Sequence, residues 1–144
     1  MSFLTDLVDG LAQLLDAADV GTYYPPGGVY GPDDTAITDT ALPSSTDRAV
    51  VLTAYFVQES TTLTDCTVMV QVRVRAGTDP REAADLEDAV HAVLHASGPH
   101  TFGTARVLLI SRVSASALGP DSQGRHERAS NYQVRAHQPH PQLS

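Results

Sequence analysis

The side chains able to do chemistry are few in this chain, and their spacing points to little. His91 and His95 stand four residues apart, which on a helix puts both imidazoles on one face, within reach of a shared metal ion. The glutamate of an HExxH pair is missing, and Glu87 and Asp88 beside them make an ordinary polar flank, so no metal site is expected. Cys66 is the only cysteine. No basic residue adjoins it to favour a thiolate, and a small buried side chain is the simpler reading. Ser111, Ser114 and Ser116 lack a G-x-S-x-G elbow, while Gly27-Gly28 lacks the lysine and the strand-to-helix setting of a phosphate loop. No catalytic residue and no cofactor site is expected.

Binding is the better use for the polar residues. Gln71, Arg73 and Arg75 fall on the polar side of one alternating segment, and Gln133 and Arg135 fall on one side of another. Together they would form a patch facing a neighbouring subunit or a channel, the alternative being a solvated sheet face with intrachain pairs. Asp121, Arg125, Glu127 and Arg128 lie in and beyond a turn-rich connection and read either as a clasp on a neighbour or as a charged hairpin tip.

The elements that must carry these residues centre on 66–96. From Thr67 to Arg75 the valines Val68, Val70, Val72 and Val74 alternate with Met69, Gln71, Arg73 and Arg75, predicting a half-buried strand. After Gly77, Asp79-Pro80-Arg81-Glu82 is an N-cap, a first-turn proline and a capping-box acid. The helix they start buries Ala83, Leu86, Val90, Val93 and Leu94 and stops at Ser97-Gly98-Pro99. An earlier helix, capped by Ser2 or Thr5 and ending near Ala18, carries Phe3, Leu4, Leu7, Val8, Leu11, Leu14 and Leu15 on one stripe. Residues 21–47, rich in Pro, Gly and Asp, read as a long loop or arm with at most a brief strand at Ala36–Thr38.

Arg48 to Val57 is a strand buried on both faces or at a subunit contact, turning through Glu59–Thr62 into the central strand as a hairpin. Gly103 to Ser116 is the next strand, with Val107, Leu109 and Val113 on one side and Arg106, Leu108, Ile110 and Arg112 on the other. His126 to His137 is the last, after the turn residues of Leu118–Gly124, and 138–144 read as a disordered tail. The expected fold is α+β: a helix, a long loop, then ββαββ, with a mostly antiparallel four-stranded sheet and the helices packed on one face. Residues 1–137 are expected to form one domain.

The chain has 144 residues, enough to bury roughly 70% of its unfolded surface in one core without staples. Its formal charge of −8 disfavours a general nucleic-acid or anionic-membrane binder. All nine basic residues are arginine. A single cysteine precludes an intrachain disulfide, and MSFLTDLVDGLAQLL lacks the basic start of a signal peptide. No stretch is long and apolar enough to span a bilayer.

Three segments carry a family resemblance that runs over essentially the whole length: FLTDLVDGLAQLL with the Tyr-Pro-Gly stretch after it, VQVRVRAGTDPREAADLEDAVHAVLH, and SRVSASALGPDSQGRHERASNYQVRAHQP. The chain resembles the tail terminator proteins of long-tailed phages infecting actinobacteria, which also go by minor capsid or minor tail protein. Leu118-Gly119, Asp121, Gly124-Arg125, Glu127-Arg128 and Asn131-Tyr132 look like that family's closing hairpin. The resemblance implies a small structural virion protein assembled with itself as a homohexameric ring at the head-proximal end of the tail. Its implied partners are the major tail tube protein and the head-tail connector or stopper, with DNA passing through the lumen unread and no membrane involved. Assembly would take place in the host cytoplasm. The alternatives are another connector, such as a stopper or adaptor, and a small ligand-binding or enzyme domain using His91, His95 or Cys66.

Overall fold

The computed structural model describes residues 2–24, 29–59 and 65–138. The Pro-Gly stretch at 25–28, most of the expected turn at Glu59–Thr62 and nearly all of the 138–144 tail lie outside the described residues. Helix α1 spans Phe3–Ala17, with the Ser2 hydroxyl accepting from the Thr5 amide at 3.2 Å as its N-cap. Strands β1 (Thr22–Tyr23), β2 (Thr35–Asp39), β3 (Arg48–Glu59) and β4 (Asp65–Arg75) come next, then helix α2 (Pro80–Leu94) and strands β5 (His100–Phe102), β6 (Ala105–Pro120) and β7 (His126–His137).

The expectation of a four-stranded, mostly antiparallel sheet with helices on one face is corrected. All seven strands form one mixed sheet in the order β1-β2-β3-β4-β7-β6-β5. β1 pairs with β2 and β2 with β3 in parallel, while the remaining pairs are antiparallel. The three strands beyond the expected four are short, and a run of two to five residues is too brief for an alternation signal. Two of them, β1 and β2, lie inside the segment read as a loop.

The sheet is also curled, because α1 is tied to both of its ends. The Asp6 carboxylate accepts from the Thr104 amide at 2.8 Å and the Thr104 hydroxyl at 2.6 Å, in the turn between β5 and β6. Asp9 accepts from the Tyr23 hydroxyl at 2.7 Å, in β1 at the opposite end of the strand order. Seven strands laid flat would hold those ends roughly 29 Å apart, whereas side chains on neighbouring turns of one helix reach both. Gly10 makes the close approach possible: a Cβ there would lie 2.1 Å from Cγ of Phe102 in β5. Inside the curl, Leu7, Leu11 and Leu15 of α1 and Leu86, Val90 and Leu94 of α2 pack with Val68, Val70, Val72 and Val74 in one core.

Strand β6 departs most from simple alternation. Its register against β7 shifts between Val107 and Leu109, between Arg112 and Ser114, and between Ala117 and Gly119, leaving Leu108, Val113 and Leu118 as bulge residues. Each bulge reverses the in-out parity of the residues after it. Val107 and Ile110 are therefore both buried while Leu108 and Leu109 are both exposed, against the expected grouping of Val107 with Leu109 and of Leu108 with Ile110. β3 meets its expectation in halves: Ala49, Val50, Val51 and Leu52 are buried on both faces, whereas further on Tyr55 and Val57 are exposed while Phe56 still packs on the core.

Candidate functional site

Register assembles the outer face of the sheet, opposite the valine core. Arg135 stands across from Thr67, Gln133 from Met69, Asn131 from Gln71, Ala129 from Arg73 and Glu127 from Arg75. β3 and β6 extend these rows with Tyr55 beside Met69 and Ser111 beside Gln133. Gln71, Arg73, Gln133 and Arg135 thus share one continuous surface, on which Gln71 and Arg135 are exposed and Arg73 and Gln133 half-buried.

Arg75 belongs to the same face but is covered. Its side chain is 2% exposed beneath the 43–47 segment, with Nε donating to the Asp47 carbonyl at 2.8 Å and Nη2 to the carbonyls of Pro43 at 2.7 Å and Thr46 at 2.5 Å. Burial, then the nearby Arg125 charge, lowers its pKa, but an arginine keeps its proton across the working range. Arg75 is a strut for the segment that joins β2 to β3. Next to it Arg73 Nε donates to Glu127 Oε1 at 2.6 Å, the carboxylate being buried and the arginine partly open.

The residues of the closing hairpin divide into three sets. Asp121 and Arg125 pair within the tip at 2.9 Å, and Arg125 reaches Asp47 at 3.2 Å, which ties the tip to the same 43–47 segment. Burial raises the pKa of Asp121, but the amides of Arg125 and Gln123 and then the Arg125 side chain outweigh it and hold the carboxyl below its usual range. Glu127 faces Arg73 on the outer surface. Arg128 turns inward to Glu87 of α2 at 2.8 Å, and that carboxylate also accepts from Ser130 at 2.9 Å. A buried acid on an inward helix face with two donors is a structural fastener, and nothing in the sequence pattern pairs Glu87 with residues more than forty positions away.

The weaker chemical candidates fall into structural settings. His91 and His95 stack with centroids 4.5 Å apart, and His95 Nδ1 accepts from the Arg112 amide at 3.0 Å. Burial, then Arg112 and His95, lowers the pKa of His91. Among the described residues, no three His, Cys, Asp or Glu side chains are grouped as a metal cage requires. Cys66 lies in the core at the start of β4, and Ser114 accepts from Asn131 Nδ2 at 3.0 Å. Ser111 and Ser116 lie along the same bulged strand, and Gly27-Gly28 is outside the described residues. A cleft between α1 and β5, lined by Asp6, Asp9, Gln13 and Thr101, has its two acids already engaged by Thr104 and Tyr23. No helix of the described residues is long and apolar enough to cross a membrane.

The surface residues missed by sequence reasoning are aliphatic. Val57, Leu108, Val113 and Leu118 are 58%, 43%, 53% and 51% exposed, and bulges placed them there. The bulges themselves have no mark in the sequence; the one legible feature nearby is the absence of charge from Val113 to Pro120.

Comparison with known proteins agrees with a structural role. No curated protein matches the chain. Among solved structures it is similar to a chain of the virion of a native gene transfer agent particle, with a TM-score of 0.58 and 16% identity over 88% of this chain and 84% of that one. At that identity the likeness is one of fold. Residues 14–138 match the bacteriophage tail terminator protein family, covering β1 to β7, both strands of the closing hairpin and the end of α1. The chain belongs to the bacteriophage tail terminator protein family and is a structural protein of the virion tail.

Proposed function

We propose that this protein forms a homohexameric ring on the head-proximal end of the tail tube, ends tube polymerisation there and joins the tail to the head connector. The match to the tail terminator family across residues 14–138 carries this reading. The mechanism is geometric and needs no catalytic residue, metal or cofactor. A tube grows by repeating one head-to-tail contact, which has no intrinsic end until a subunit with a different outer face occupies it. One surface of the ring fits the last tube subunits, and the other offers the neck protein a new contact.

The charge distribution supports a conduit for DNA. Arg73, Arg125 and Arg128 are held by acids within the subunit, and Arg75 is buried under backbone carbonyls. The formal surplus of −8 is then left mostly to the surface, and like charge toward phosphate keeps DNA from adhering in the lumen. The outer sheet face with Gln71, Arg73, Gln133 and Arg135 is the proposed contact or channel surface; Arg75 and Glu127 lie on the same face and brace it, Asp121 and Arg125 hold the hairpin tip, and Arg128 fastens the opposite side to α2.

Phage lacking the gene test this directly. Filled heads and separate tails with overlong or irregular tubes are expected, and purified protein should restore joining in extracts. Joined tails of regular length would sink the proposal, and a defect confined to DNA retention in heads would move the role to a head-side stopper.

A further inference from the structure

The bulges of this sheet share one property. The register breaks of β3 and β6 leave Val57, Leu108, Val113 and Leu118 as the extra residues, and all four are exposed aliphatics. A bulge residue is freed from the in-out alternation of its strand, so its side chain is re-aimed by the local kink. A soluble surface would set polar residues at such positions, especially in a chain with seventeen acids.

Two of the bulges flank, and one adjoins, backbone that has no partner on its outer side among the described residues. Along β6, β5 covers 105–107, Ser97 bonds Ile110, and His95 Nδ1 takes the Arg112 amide. Gly98 allows that cover, since a Cβ there would lie 2.5 Å from the Leu108 carbonyl oxygen. From Val113 to Leu118 the described residues supply no further neighbour on that edge, and every residue of the run is exposed. At the other side of the sheet β2 covers β3 through Leu52, and from Thr53 to Val57 the described residues supply no further neighbour on that edge. Neither Val113–Pro120 nor Thr53–Gln58 contains a charge. Proteins usually blunt open edges with charged side chains, and these two are left without them.

We propose that the β6 edge from Val113 to Leu118 docks on the β3 edge from Thr53 to Gln58 of a second copy of this chain. Copies of a chain with this net charge repel one another except where charge is absent, and both edges are such places. Two different edges on opposite sides of one sheet make a heterologous contact, the type that closes into a ring. This deepens the ring proposed above and rests on it for closure. The edges are staggered: Phe56 is level with Val68, Val134 and Ile110, whereas Ala115 is level with Ser130, Val72 and Leu52. Docking shifts successive copies by roughly 13 Å along the strands, which closure accommodates by tilting the strands as barrels do.

Sedimentation velocity of the purified full chain over a wide concentration range is the test. Oligomers are expected, with association on the order of a hundredfold weaker in Leu118→Asp and in Val57→Asp, since each buries an unpaired carboxylate at the contact. Val29→Asp, at a residue 85% exposed and part of neither edge segment, should associate like wild type. Mixing Leu118→Asp with Val57→Asp leaves one intact pair of edges, so heterodimers and nothing larger are expected. Circular dichroism melting checks the fold, and Leu118→Ser and Val57→Thr replace any variant that melts early. A wild-type monomer at every concentration overturns the inference, as do edge variants that associate normally. Edge variants that associate normally yet fail to join tails would assign these edges to a different tail protein. Normal tails in phage lacking the gene would remove the terminator role and leave this contact standing, whereas a monomeric chain with the terminator phenotype does the reverse.

Discussion

Replacing Arg75 by Gln should destabilise the subunit although the residue lies on the polar side of its strand. The guanidinium supplies three hydrogen bonds to the carbonyls of Pro43, Thr46 and Asp47, and Thr46 is itself buried. Bonds from a charged donor contribute about 1.5–3 kcal/mol each, and a buried carbonyl left without a donor costs about 1–3 kcal/mol. The 43–47 segment is near the surface, so water can replace part of the loss. The net cost is then about 3 kcal/mol, which for a chain of this length lowers Tm by roughly 10 °C. Urea denaturation followed by circular dichroism measures the first figure, and limited proteolysis around Ser44 and Ser45 reports loosening of the segment. Arg135→Gln, on the same face but exposed, is the control and should change stability by less than about 0.5 kcal/mol. An Arg75→Gln protein as stable as that control, with 43–47 still protected, would refute the strut.

The Thr104 hydroxyl, and after it the Thr104 amide, lowers the pKa of Asp6, so this carboxylate stabilises the fold fully above about pH 4 and loses its contribution as pH falls through the lowered value. Asp6→Asn should flatten the fall in urea midpoint between about pH 5 and pH 2.5, and an unchanged slope would contradict that. Gly10→Ala gains about 1 kcal/mol of helix propensity but drives a methyl into Phe102, for a net loss of about 1–3 kcal/mol; adding Phe102→Ala should remove the clash, and the double-mutant cycle reads the coupling. Glu87→Ala strands Arg128 and Ser130 against α2 and should cost about 3 kcal/mol, whereas the neighbouring Asp88→Ala should be near neutral in the same melts.

How much of the fold was legible in the sequence depends on how local each signal is. The Asp79-Pro80 start of α2, the Ser2 cap of α1 and the valine alternation of β4 are encoded within a few residues, and each appears where its pattern lies. The grouping of Gln71, Arg73, Gln133 and Arg135 needed only alternation in two strands that pair. Alternation says which face a side chain takes, not whether a loop covers it, so the burial of Arg75 under Pro43–Asp47 was out of reach. The bulges at Leu108, Val113 and Leu118 have no sequence mark, and the first of them reversed the predicted faces of the residues up to the next. β1, β2 and β5 draw their stability from partners across the sheet and from α1, which is why a four-stranded expectation became a seven-stranded mixed sheet.

Imaging the head-proximal end of the tail at a resolution that traces strands tests the central claim most directly. The account predicts one ring of six copies of this chain between the last ring of tube subunits and the neck, with the chain absent from the rest of the tube. Copies repeated along the tube, a position in the head, or a ring of any other number would contradict it.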